Sequence, residues 1–191
     1  MKRITLILIG LMLLSFCMAK DFSFDQFDTD TRGVTDTSKL IETYREYMDA
    51  SPSRTVIEMV EDIWVVLDEN SLKSHLTKMT IQYPKDARYY YLLGRIDEDP
   101  TQVVELSRKA IKNNRRGFHN YEMLLKTYNK YFFGTETLSV TKIAYFQEHL
   151  KKDKNLCRDL LRMDPYNRVG IAFDTNYTKY KAEQKANKKK K

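Results

Sequence analysis

The sequence predicts an all-α chain built as a short array of antiparallel helix pairs, and three observations predict it. Residues 86–113 hold two apolar stripes at helical spacing: Tyr90, Leu93 and Gly94 before an acidic turn, and Val103, Leu106, Ser107, Ala110 and Ile111 after it. The skeleton of the first stripe recurs around Val56, 34 residues earlier, and Tyr121, 31 residues later. A hydrophobic content of 42% with only six Gly and four Pro suits packed helices better than a disordered chain. One such pair cannot bury both stripes alone, so pairs of this kind stack side by side.

The chain opens with Met1-Lys2-Arg3, an apolar run from Ile4 to Phe16, and Cys17-Met18-Ala19 before Lys20. That layout is an export signal over residues 1–19, and it places the mature protein outside the cytoplasm, periplasmic or secreted. Thirteen apolar residues fall short of the roughly 18 that a spanning helix needs. Leu14-Ser15-Phe16-Cys17 also resembles the lipobox of bacterial lipoproteins, so lipidation at Cys17 is the alternative to soluble export. Either way Cys157 is left as the single thiol, which excludes an internal disulfide. Its neighbours Leu156, Leu160 and Leu161 mark it as a core residue.

Net charge is +7, but it belongs to the ends. Lys2 and Arg3 supply two, and residues 179–191 supply six through seven Lys against Glu183, which leaves residues 20–178 at −1. A nearly neutral body and an export signal argue against nucleic acid as partner.

Residues 20–37 alternate Phe with acids and Thr without a helical period, which reads as a flexible spacer; the alternatives are docking of Phe22, Phe24 and Phe27 on the domain or on a partner, and a strand. Ser38 is the expected N-cap of a helix to Ala50 with Leu40, Ile41, Tyr44, Tyr47 and Met48 on its apolar side. Ser53 caps the next, marked by Val56, Met59, Val60, Ile63 and Leu67. The chain turns between Asp68 and Ser71, and a third helix with Leu72, His75, Leu76 and Met79 stops by Pro84. After the central pair come a helix through Tyr121, Leu124, Leu125 and Tyr128, an inserted segment over 134–152, and a helix from Asp153 to Met163 closed by Asp164-Pro165-Tyr166-Asn167.

Tyr90-x2-Leu93-Gly94, Val56-x2-Met59-Val60-x2-Ile63, Leu72-x3-Leu76 with Pro84, and Tyr121-x2-Leu124-Leu125-x2-Tyr128 resemble the tetratricopeptide (TPR) repeat, whose period is about 34 residues. The resemblance covers residues 53–169 in three degenerate units, 53–86, 87–117 and 118–169, within a helical domain over 38–169; the alternative is an unrelated antiparallel helical bundle, which shows similar stripes. The resemblance implies a right-handed array whose first helices line a groove for a protein or peptide. By position the groove residues are Arg54, Ile57, Glu61 and Trp64, then Arg88, Tyr91 and Arg95, then His119, Glu122 and Lys126. Arg with aromatic residues suits an extended peptide bearing carboxylates.

No H-E-x-x-H, Gly-rich phosphate loop, G-x-S-x-G or C-x-x-C stands in the sequence. The expectation is therefore a binding protein with no catalytic residues, no metal and no cofactor. The alternatives are an envelope hydrolase with an unrecognised carboxylate site and the helical part of an exported thioredoxin-like system. Residues 170–191 read as a basic disordered tail, whose Lys188 to Lys191 suit contact with an anionic surface.

Overall fold

Short polar side chains set the helix starts along this chain. A computed structural model describes residues 22–189, among which there are eight α-helices and no strand. They are α1 (Phe24–Thr31), α2 (Thr37–Ala50), α3 (Arg54–Gln82), α4 (Ala87–Arg95), α5 (Pro100–Asn113), α6 (Phe118–Thr127), α7 (Val140–Met163) and α8 (Arg168–Lys189). The export-signal reading and Cys17 lie outside the described residues.

The chain divides into two compact units, one up to Leu67 and one from Asp68. The division falls inside α3, where Asp68 is extended (φ −161°, ψ 86°). Its carboxylate accepts from Ser71 N at 3.0 Å, so it caps the helical run that follows. The expected turn over 68–71 is thus a single-residue break with its own cap.

In the first unit α1 replaces the expected spacer. Ser23 caps it, and Phe27 is buried with its ring 5.7 Å from Tyr44 and 5.1 Å from Tyr47. Tyr47 Oη donates to Asp30 at 2.8 Å, and Ser51 Oγ donates to Phe22 O at 3.2 Å. An eight-residue helix with one buried side chain shows no period, so tertiary contact decides it. The cap of α2 is Asp36, accepting from Ser38 N and Lys39 N, rather than Ser38 itself. Ser53 does cap α3, at 3.4 Å from Val56 N. Val56, Ile57, Val60, Glu61 and Trp64 are buried together along residues 54–67.

In the second unit α4 packs on α5, α5 on α6, and α6 on both α7 and α8. One turn recurs three times, at residues 83–86, 114–117 and 164–167. In each the first residue's N–H closes the preceding helix at 2.8 Å, onto Met79, Ala110 and Leu160. The fourth residue's N–H then returns to the first carbonyl, Asp86 to Tyr83 at 3.0 Å, Gly117 to Asn114 at 3.3 Å and Asn167 to Asp164 at 3.1 Å. Tyr90 Oη donates to Pro84 O and Tyr121 Oη to Arg115 O, each at 3.2 Å and each to a carbonyl six residues upstream.

Gly94 serves close approach as its sequence position suggested. A Cβ there would stand 2.8 Å from Met123 Cε of α6. Gly134 is needed more strictly, because a Cβ would lie 2.1 Å from the Lys130 carbonyl. It follows a π-helical turn, Tyr128–Phe132, that extends α6 and turns Phe132 and Phe133 into the aromatic core.

Two expectations for the C-terminal half are corrected. The separate insertion over 134–152 and the helix from Asp153 are one continuous α7 of 24 residues, capped by Ser139. The tail expected to be disordered over 170–191 is helical to Lys189, with Asn167 accepting from Gly170 N at 3.1 Å at its start. Phe173 of α8 is fully buried, and Val169, Tyr177 and Tyr180 pack on the same core.

Candidate partner-binding face

The groove residues expected along residues 54–64 divide sharply. Ile57, Glu61 and Trp64 are buried and form part of the core, so they are not available to a partner. The buried stripe of α3 is two residues wide at each turn, and the positions next to Val56 and Val60 fall inside it. Trp64 meets the Tyr44 ring at 6.2 Å, with Arg45 over its face at 5.9 Å. Arg54 stays exposed and pairs with Glu58 at 3.3 Å.

The residues expected on the groove side of the second and third units do come together, because α4 and α6 lie side by side. The Tyr91 ring meets His119 edge-on at 4.7 Å, and the Arg95 guanidinium lies 5.9 Å over Tyr91. Glu122 stands one turn on from His119, with Lys126 at 3.7 Å from its carboxylate. Arg88 departs from this set. Its guanidinium is held by both carboxylate oxygens of Asp86, with Nη2 2.7 Å from Oδ2, at the start of α4. Burial alone would raise the Asp86 carboxyl, but these bonds and the Arg88 backbone N–H hold it below its ordinary value.

Three amides that the sequence reading passed over extend the face onto α8. Asn167 Nδ2 donates to Glu122 Oε1 at 2.7 Å. Asn129 Nδ2 donates to Val169 O at 3.3 Å and accepts from Asn176 Nδ2 at 3.2 Å. Their signal was spacing: Asn129 follows Glu122 by seven residues, two helical turns along one face.

A buried charged network lies on α5, the π-turn and α7. Asp153 of α7 is fully buried, and Arg108 of α5 reaches it with Nε at 3.0 Å and Nη2 at 2.5 Å. Tyr128 Oη donates to the same carboxylate at 2.6 Å, while Arg108 Nη1 bonds Glu105 at 2.7 Å and Tyr145 Oη at 3.0 Å. Tyr145 also donates to Glu105. Burial by itself would lower the Arg108 pKa, yet the Asp153 bonds and charge leave it raised. Burial and then the Asp153 charge push Tyr128 up, and burial and then the Glu105 bond push Tyr145 up. The network ties α5, the π-turn and α7 to one another.

Its pH dependence has a definite sign. A tyrosine pKa that is higher folded than unfolded contributes stability that is complete below about pH 10 and is lost as pH rises past it. The network's contribution to the thermal midpoint is therefore expected to hold between neutral pH and pH 9 and to fall above about pH 10. With Tyr128→Phe and Tyr145→Phe combined, that alkaline fall is expected to shrink. An unchanged fall would remove these two phenols as its source.

Among the described residues no group of three or more His, Cys, Asp or Glu is placed to hold a metal ion. Burial pushes the Cys157 thiol up, and its Sγ donates to Gly170 O at 3.4 Å. Compared with models of protein families, with curated proteins and with solved structures, the chain finds no match.

Proposed function

We propose that this chain is an exported tetratricopeptide-like protein that binds a protein or peptide segment across α4, α6 and the start of α8. The observation that carries the reading is the row of half-buried and exposed Tyr91, Arg95, His119, Glu122 and Lys126 on two adjacent helices. Aromatic rings there offer broad contact area at low entropy cost, and the charged ends give direction to an extended chain. The recurring turn with its tyrosine bond supports reading α4 with α5 and α6 with α7 as copies of one unit. Export rests on the Met1 to Ala19 pattern. No helix among the described residues is long and apolar enough to cross a membrane.

The test uses Arg95→Ala with Lys126→Ala, two exposed positions whose loss leaves the core intact. A polypeptide captured by the wild-type chain from an envelope extract is expected to bind the double variant at least about tenfold more weakly, equivalent to about 1.4 kcal/mol, at unchanged thermal midpoint. Equal capture by both proteins would remove this face from the function.

A further inference from the structure

A second surface lies at the edge where two of the recurring turns meet. An open depression of about 730 Å³ is lined by Gln82, Tyr83, Lys85, Arg88, Asn113 and Asn114, among others. The turns are tied there by Asn113 Nδ2 donating to Pro84 O at 3.0 Å. Residues 82–88 and 109–116 hold six cations, Lys85, Arg88, Lys109, Lys112, Arg115 and Arg116, against the one carboxylate of Asp86. Asp86 is already spent on Arg88 and on the cap of α4. Lys85, Lys112, Arg115 and Arg116 are exposed, and among the described residues none has a carboxylate at ion-pair distance. In a body whose overall charge is close to zero, this concentration is local.

We propose that this edge binds an acidic polypeptide segment. The cations are spread over two turns and the end of α5, further than one small anion reaches, which suits several carboxylates along an extended chain. Amides of Gln82, Asn113 and Asn114 match peptide groups, and the half-exposed Tyr83 ring, stacked on Tyr89 at 6.1 Å, offers contact area between charges. Lys85 and Arg88 line the depression itself, and Lys112, Arg115 and Arg116 stand exposed in the sequence next to Asn113 and Asn114, which line it too.

The edge goes beyond the face of α4 and α6, and the experiment separates the two. Anisotropy of a fluorescein-labelled peptide of Glu and Tyr is titrated with the full chain at low salt. Binding is expected, weakening as salt approaches about 0.15 M, where the screening length is about 8 Å. Lys85→Glu with Arg115→Glu and Arg116→Glu is expected to lower affinity at least about tenfold, with the neutral triple Gln variant intermediate. Arg95→Ala with Lys126→Ala, and deletion of residues 185–191, are expected to leave it unchanged. Neither inorganic phosphate nor phosphatidylglycerol vesicles should displace the peptide at matched charge. Equal affinity of the triple Glu and wild-type chains, loss on deleting the tail, or displacement by vesicles or phosphate would each overturn the proposal.

Discussion

Arg108→Ala is expected to lower folding stability by about 3 to 5 kcal/mol, read as a reduced urea midpoint at unchanged slope. The reason is what the substitution leaves behind. Asp153 is fully buried, and two of its three hydrogen bonds come from the Arg108 guanidinium. Without them a carboxylate stays in the interior with only the Tyr128 hydroxyl to compensate it. The Arg108 side chain is itself only 10% exposed, so solvent screening does not rescue the pair. Replacing both partners, Arg108→Met with Asp153→Leu, strands no charge and is expected to lose less than the single change. A single-variant loss below about 1 kcal/mol, the scale of an exposed ion pair, would show that water reaches the pair.

Phe173→Ala is expected to remove about 3 to 5 kcal/mol, the usual range for truncating a fully buried phenylalanine. Phe173 stands 5.5 Å from Tyr128 and 5.6 Å from Phe133, both nearly edge-on, and its loss opens a cavity under the π-turn. Deleting residues from Val169 onward should do more, since it also uncovers Cys157 and Leu160. The same deletion would leave stability untouched if residues 170–191 were a solvated tail. Urea unfolding of the two proteins distinguishes these outcomes.

How far the fold was legible follows from where the sequence punctuates itself. Pro84, Pro165 and the Ser53 cap stop and start helices by chemistry that needs no tertiary context, and the structure has boundaries at each. Asp68 breaks α3 where a capping carboxylate meets a polar stretch. Residues 140–163 contain neither Gly nor Pro, so nothing local ends a helix there, and the repeat period alone suggested a division. The period also drew attention away from α8. Val169, Phe173, Tyr177 and Tyr180 recur at helical spacing, but the Lys-rich end of the same segment dominated its composition.

The face was half legible for a related reason. Counting from a repeat skeleton assigns one residue per turn to the core and its neighbour to the groove. That holds for α4 and α6, where Tyr91 and Glu122 stay half-exposed. It fails along residues 54–67, where Ile57, Glu61 and Trp64 are buried beside the skeleton. Sequence spacing gives the direction of a stripe and not its width, which depends on the neighbours that close over it.

The aromatic core and the far end of the face both depend on α8 being docked. Cys157 reports this directly: it is buried on α7 with its thiol on the Gly170 carbonyl of α8. In a chain carrying Cys17→Ser, the rate at which Ellman's reagent modifies Cys157 is measured across a urea titration. The thiol is expected to stay unreactive in the native state and to become reactive together with the loss of helical circular dichroism. Rapid modification in the absence of urea, or reactivity that precedes the loss of helix, would contradict the docked α8 and the face built on it.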